Sequence, residues 1–347
     1  MPPDGVSTFV EQGHTVYVER GAGTVAGFQD DDYAAAGARV VYSPEEVFGR
    51  ADLLLKVARP LREELEMMRP GQALAGFLHL AAARQEKIEV LLSKRITAIA
   101  YEQVEDPVGT RPILAPVSQI GGRMAVQVAA KLLQNDHGGR GILLGGVVGV
   151  PPAEVVIIGG GVAGGAAAAG FTELGALVTI LDLDLRRLQE LQDRIGRLVT
   201  MLSTPYNVAR AVQKADVLIG AVLQPGERAP IVVSRKMVAS MRPGSIIMDM
   251  SIDQGGCIET SRPTTTGTPT YIEEGVTHYC VPNVGGVLGR TGSLALYNGT
   301  FPYLESIARM GMDEAIRSLP GLERGLNTYR GEIVHLKRLG GIGGRQR

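Results

Sequence analysis

The stretch that most constrains this chain is Val155-Val156-Ile157-Ile158 followed at once by Gly159-Gly160-Gly161-Val162-Ala163-Gly164. A short β-branched run reads as a buried strand, and the alanine-rich segment after the glycines reads as a helix reaching residue 174. Between them the glycines fit G-x-G-x-x-G in the context that gives the pattern meaning. Gly159 permits the tight turn, Gly161 lets a pyrophosphate approach the backbone, and Gly164 lets the helix lie close on its strand. The phosphates would meet free N–H groups at a helix N-terminus. The next strand, residues 177–182, ends in Asp182, placed to accept hydrogen bonds from ribose hydroxyls. Asp182 would also repel a 2′-phosphate, which selects NAD as the cofactor, although Arg186 and Arg187 lie within one helical turn and offer charge that NADP could use.

Composition matters chiefly for where the glycine lies. Of 46 glycines in 347 residues, 13 fall within residues 138–175. They follow no three-residue period, which excludes a collagen-like chain, and no longer repeat is visible. With 35 Lys+Arg against 36 Asp+Glu the charge is balanced, so no global field recruits nucleic acid or an anionic membrane. No apolar run reaches the roughly 18 residues of a membrane span, so a soluble protein is expected. Cys257 and Cys280 are too few for a disulfide framework, and the first residues lack the basic start and apolar core of a signal peptide. Cytoplasmic location follows as the expectation. Neither cysteine is spaced with histidines as a metal ligand, and both read as buried packing residues.

Along the chain, short valine-rich strands at 14–19, 38–42 and 53–57 alternate with helices that end at 12, span 30–36 and start at Ser43-Pro44. Such alternation predicts a parallel sheet with crossover helices. Residues 117–135 carry helical spacing and read as a long connecting helix. A second series of strands at 155–158, 177–182, 217–223, 245–249 and 277–281 makes a second α/β domain. Residues 292–308 are again helical and would carry the chain back to the first. The tail at 340–347 has too little apolar surface to offset its ordering entropy and is expected to fray.

Four further segments give the chain a family likeness. Leu53-Leu54-Leu55-Lys56-Val57, Gly76-Phe77-Leu78-His79-Leu80-Ala81, Leu114-Ala115-Pro116-Val117-Ser118-Gln119-Ile120 and Ser251-Ile252-Asp253-Gln254-Gly255-Gly256-Cys257 resemble successive signatures of the alanine dehydrogenase and proton-pumping transhydrogenase family. The resemblance runs from about residue 3 to about 335. It implies an α/β fold of two Rossmann-like domains joined by long helices, with a discontinuous substrate domain (1–112 and 291–347) around an inserted NAD-binding domain (113–290). It implies a homohexamer that interconverts L-alanine with pyruvate and ammonia using NAD, with the active site in the cleft between the domains. By the same resemblance Ser118 touches the pyrophosphate, Arg187 the ribose region, Leu223 the adenine-side wall, and Asn283 the cofactor.

The chemistry needs a cation for the substrate carboxylate, a proton carrier and a place for hydride. Lys56 and His79 match the family's substrate lysine and histidine. Lys56 would bind the carboxylate and the developing oxyanion, and His79 would protonate the carbonyl oxygen, a task suited to histidine at working pH. Asp253 matches the acid that orients water or ammonia. Each has a plain alternative when taken alone: Lys56 snorkelling, His79 hydrogen-bonded in a core, Asp253 as a turn residue. Two departures stand out. The family's opening strand and its carboxylate-clamping arginine have no counterpart in this sequence, which predicts an exposed sheet edge and poor alanine turnover. Either the start lies at an internal methionine or the natural chain is short. The loop at 283–291 carries glycines where relatives usually have prolines, in place of Gly285 or Gly286 and of Gly289, which predicts a looser loop and drifted substrate choice. Two rivals to the dehydrogenase are a transhydrogenase-like nucleotide-binding domain and a catalytically weak NAD-binding or assembly protein.

Overall fold

In the computed structural model, which describes residues 1–336, helix α1 (Pro3–Glu11) starts on a proline in its first turn and buries Val6 and Phe9. Strand β1 (Tyr17–Glu19) begins three residues later than its valine pattern suggests and pairs in parallel with β2 (Arg39–Val41). Between them α2 (Asp30–Ala35) carries three aspartates at its positive end, and Asp32 accepts from the Gln29 amide at 2.7 Å. Helix α3 (Pro44–Arg50) leads to β3 (Leu53–Lys56), followed by α4 (Arg62–Met67), β4 (Ala73–Gly76), α5 (Gln85–Ser93) and β5 (Thr97–Ala100). Strands β3, β4 and β5 are parallel. The run 53–57 is less buried than its composition implies. Leu54 faces the core, whereas Leu55, on the opposite face, is 42% exposed. Strands β1 and β3 each have one partner, so the first sheet lies in two pieces. The long helix α6 (Leu114–Leu132) follows.

The chain divides into two units, and the second comprises Ser118–Gln224 and Arg228–Gly285. Its elements in order are β6 (Glu154–Ile158), α7 (Val162–Glu173), β7 (Leu177–Asp182), α8 (Leu185–Ile195), β8 (Val199–Leu202), α9 (Pro205–Lys214), β9 (Val217–Gly220), α10 (Arg235–Ala239), β10 (Ile246–Asp249), β11 (Thr270–Glu273) and β12 (Val276–Tyr279). The strands lie in the order β8-β7-β6-β9-β10-β12, all parallel, with β11 added antiparallel at the edge. This is the doubly wound dinucleotide-binding order, and it reverses between β6 and β9, where such sheets take ligands. Alternation along β6 serves both faces. Val155 and Ile157 pack with Phe171 of α7 on one side, and Val156 and Ile158 pack with Val208 and Val212 of α9 on the other.

The first unit is Met1–Val117, Pro225–Glu227 and the chain from Gly286 on. Helix α11 (Gly289–Met310) lies in it, and β13 (Leu326–Tyr329) and β14 (Glu332–Ile333) extend its sheet beyond β5. Both join antiparallel, so within this five-stranded sheet the parallel expectation holds for β3–β5 and fails for β13 and β14. The tail at 340–347 lies outside the described residues.

Candidate functional site

In the second unit the three motif glycines hold the positions their roles demand. Gly159 has φ +104°, and a Cβ there would meet the Ala221 carbonyl oxygen at 2.3 Å. At Gly164 a Cβ would lie 1.8 Å from the Gly159 oxygen, so α7 can lie this close only without a side chain. Gly161 caps α7, and a Cβ there would meet nothing within 4 Å. The open space beside Gly161 leaves the backbone at the α7 N-terminus accessible to an anionic group such as a pyrophosphate. Asp182, at the end of β7, accepts the Gly160 amide at 2.6 Å and lies 3.3 Å from the Arg187 guanidinium. The acid is therefore fixed in place by the turn it serves. Ser118 sits on α6 one turn before Gly122, whose Cβ would meet the Ala163 oxygen at 2.3 Å, so the glycine brings α6 hard against the start of α7.

Beyond β9, Leu223 is 42% exposed. Beyond β10, Asp253 lies in a single 3₁₀ turn, Ile252–Gln254, and its Oδ2 accepts the Asn283 amide at 2.9 Å. Asn283 is itself left-handed, with φ +50°. The structure thus joins two residues that the sequence places 30 apart. Cys257 and Cys280 are buried, and burial pushes both thiols up, which suits packing residues and not nucleophiles.

In the first unit Lys56 ends β3 and His79 follows β4, the adjacent parallel strand, so both stand at the carboxyl edge of one sheet. A Cβ at Gly76 would meet the Lys56 carbonyl oxygen at 2.2 Å, which keeps this edge narrow. Lys56 Nζ is 2.7 Å from Glu64 Oε1, and the other Glu64 oxygen accepts the Leu61 amide at 2.6 Å. The ammonium is therefore held by a carboxylate that caps α4. His79 has φ +45°, a conformation that costs a non-glycine residue about 1–3 kcal/mol and persists only when surroundings enforce it. The enforcer is Glu102, buried just past β5, which accepts the His79 amide at 2.7 Å and the Leu78 amide at 3.2 Å. The ring lies 6.2 Å from Phe77 in a stacked pose. Its Nδ1 is buried without a hydrogen bond, 3.9 Å from Glu102. Neither Glu64 nor Glu102 is among the residues singled out from the sequence. Glu64 had a usable signal, an acid three residues after a helix start; Glu102 had none.

Both halves of the chain match a known family. Residues 1–121 match the Alanine dehydrogenase/PNT N-terminal domain, and residues 125–336 match the Alanine dehydrogenase/PNT C-terminal domain. The chain belongs to the alanine dehydrogenase/PNT family. An alanine dehydrogenase of Methanococcus maripaludis is 48% identical over 337 residues, 96% of this chain and 90% of that protein. One of Mycobacterium tuberculosis is 45% identical over 335 residues with the same coverage. A solved L-alanine dehydrogenase aligns with a TM-score of 0.86 at 46% identity, covering 96% of this chain and 92% of its own. A transhydrogenase of Sinorhizobium meliloti aligns with a TM-score of 0.74 at 27% identity, covering 96% and 93%. Within the family, the dehydrogenases are thus much nearer in sequence than this transhydrogenase.

Proposed function

We infer that this protein is an NAD-dependent amino acid dehydrogenase that oxidatively deaminates L-alanine to pyruvate and ammonia and runs the reverse reductive amination. The observation that carries this is the coexistence of a complete dinucleotide turn with a lysine and a strained histidine at one sheet edge, in a chain 45–48% identical to alanine dehydrogenases. The glycine turn, Asp182 and Ser118 would hold NAD, with Arg187, Leu223 and Asn283 around it. When bound there, NAD would supply the acceptor for the hydride from the substrate Cα.

Lys56 binds the substrate carboxylate and steadies negative charge on the carbonyl oxygen; Glu64 keeps its ammonium in place beforehand. His79 exchanges the proton at the substrate nitrogen or oxygen. Glu102 holds its backbone, and the Nδ1 side of the ring faces that acid, leaving Nε2 for substrate. Asp253 orients the water that attacks the imine carbon, or the ammonia in the reverse direction. In deamination, alanine loses hydride and a proton to become an imine, and water then replaces nitrogen to give pyruvate and ammonium.

We further propose a homo-oligomer, a hexamer by family resemblance, in the cytoplasm. Val147, Val148 and Val150 are exposed on a small hairpin of the second unit, with Leu143 exposed four residues before it, apolar surface that assembly would cover. Two free buried thiols suit a reducing compartment. Among the described residues, no helix is long and apolar enough to cross a membrane. The activity is tested by steady-state absorbance of the reduced cofactor. Alanine with NAD must generate NADH, and pyruvate with ammonium must consume it; NAD binding without either reaction would leave only a binding protein.

A further inference from the structure

Asp249, the last residue of β10, is buried and has no part in the chemistry above, yet three backbone amides of the loop that follows converge on it. Its Oδ1 accepts the Ser251 amide at 3.0 Å, and its Oδ2 accepts the amides of Cys257 at 2.9 Å and Ile258 at 3.1 Å. The Cys257 thiol lies 3.5 Å from Oδ1. One carboxylate therefore pins both ends of the loop 251–258, and Asp253 lies inside that loop. The loop closes on itself through left-handed Gly255 and Gly256, whose amides donate to Ile252 and Ser251 carbonyls. A Cβ on Gly256 would lie 3.0 Å from Asp249, and one on Gly220 2.5 Å from the Cys257 sulfur, so both glycines leave space that the carboxylate and the thiol occupy. Ser251 extends the network, because its Oγ accepts the Val222 amide at 2.9 Å, next to Leu223 on the cofactor-side loop after β9.

We propose that Asp249 is a positioning residue for the dehydrogenase reaction, gathering the loop that carries Asp253 and tying it through Ser251 to the loop after β9. Burial pushes the Asp249 pKa up and the amides of Cys257, Ile258 and Ser251 pull it back, so the donors that gather the loop are also those that favour the charged carboxylate, in a loop that two glycines would otherwise leave loose. The inference rests on Asp253 as the water-orienting acid.

The test uses Asp249→Asn, Ser251→Ala and Asp253→Asn in the full chain, with NADH fluorescence titration to count binding sites. The glycine turn is untouched, so Asp249→Asn should bind NADH within about twofold of the parent. Its kcat per binding site should fall about 100-fold, the scale of a small misplacement of a reacting group, with the alanine KM little changed and the pH profile shifted. Ser251→Ala loses one neutral hydrogen bond and should lose about fivefold in kcat per site with an unchanged melting temperature. If Asp249→Asn does not fold, Ser251→Ala decides: parental kcat per site would overturn the proposal. A purely structural Asp249 would lower the melting temperature and the number of NADH sites while leaving kcat per site and the pH profile unchanged, and that result also overturns it. Parental turnover in Asp253→Asn would instead overturn the reading of Asp253, and the positioning proposal with it.

Discussion

His79 and His278 show how one residue type takes opposite tasks from its surroundings. His79 is held in a left-handed backbone with one ring nitrogen unpartnered, whereas both nitrogens of His278 are used. Its Nδ1 donates to the Val276 carbonyl at 2.9 Å, which makes Nε2 the acceptor of the Thr260 hydroxyl at 2.7 Å. The ring is buried, stacks on Tyr271 at 4.9 Å, and Arg262 covers Tyr271 at 3.8 Å. Burial pushes the His278 pKa down, against the pull of Glu273 and with the repulsion of Arg262 and Arg235. The sign follows from linkage. A histidine that resists protonation when folded contributes stability above the ordinary histidine pKa of about 6.5, and that stability is lost as pH falls through the lowered value. Urea unfolding of the parent should weaken across that window by up to about 1.4 kcal/mol per pH unit from this group. In His278→Gln the contribution disappears, and an unchanged slope in the variant would exclude His278 as its source.

At the scale of elements, β6, the glycine turn and α7 were legible in the sequence because the pattern is local: Gly164 answers to the Gly159 oxygen five residues away. The contact of Gly159 with Ala221, just past β9, was not, since it forms only where β9 lies beside β6. Glu102 was not legible, because it reaches His79 only through the pairing of β4 with β5, 23 residues apart. The exposure of Leu55 was missed for a related reason: three leucines in a row do not reveal which face of β3 is covered. The antiparallel β13 and β14 carry no signal that distinguishes them from parallel strands. The turn itself yields a contrast between two glycines. Gly164→Ala places a methyl 1.8 Å from a carbonyl oxygen, so it should destabilise the unit by about 1–3 kcal/mol or more. Gly161→Ala meets nothing and has an ordinary φ of −67°, so its melting temperature should stay within about 1–2 °C of the parent while NADH affinity falls at least tenfold. Equal melting temperatures and equal NADH affinities for the two variants would refute these assigned roles.

For the molecule as a whole, the proposed reaction divides its work between two α/β units. One carries Lys56 and His79 on a sheet edge; the other carries the dinucleotide turn and Asp253. The proposed hexamer would cover the apolar hairpin at 147–150, and light scattering should give six times the 36.8 kDa chain mass, about 220 kDa, with a monomer contradicting it. The central claim is that hydride passes from alanine to NAD. Its most direct measurement supplies L-alanine deuterated at C2 with NAD and analyses the reduced cofactor by mass. The account predicts one deuterium in each NADH and one pyruvate per NADH, whereas unlabelled NADH, or no reduced cofactor at all, would contradict it.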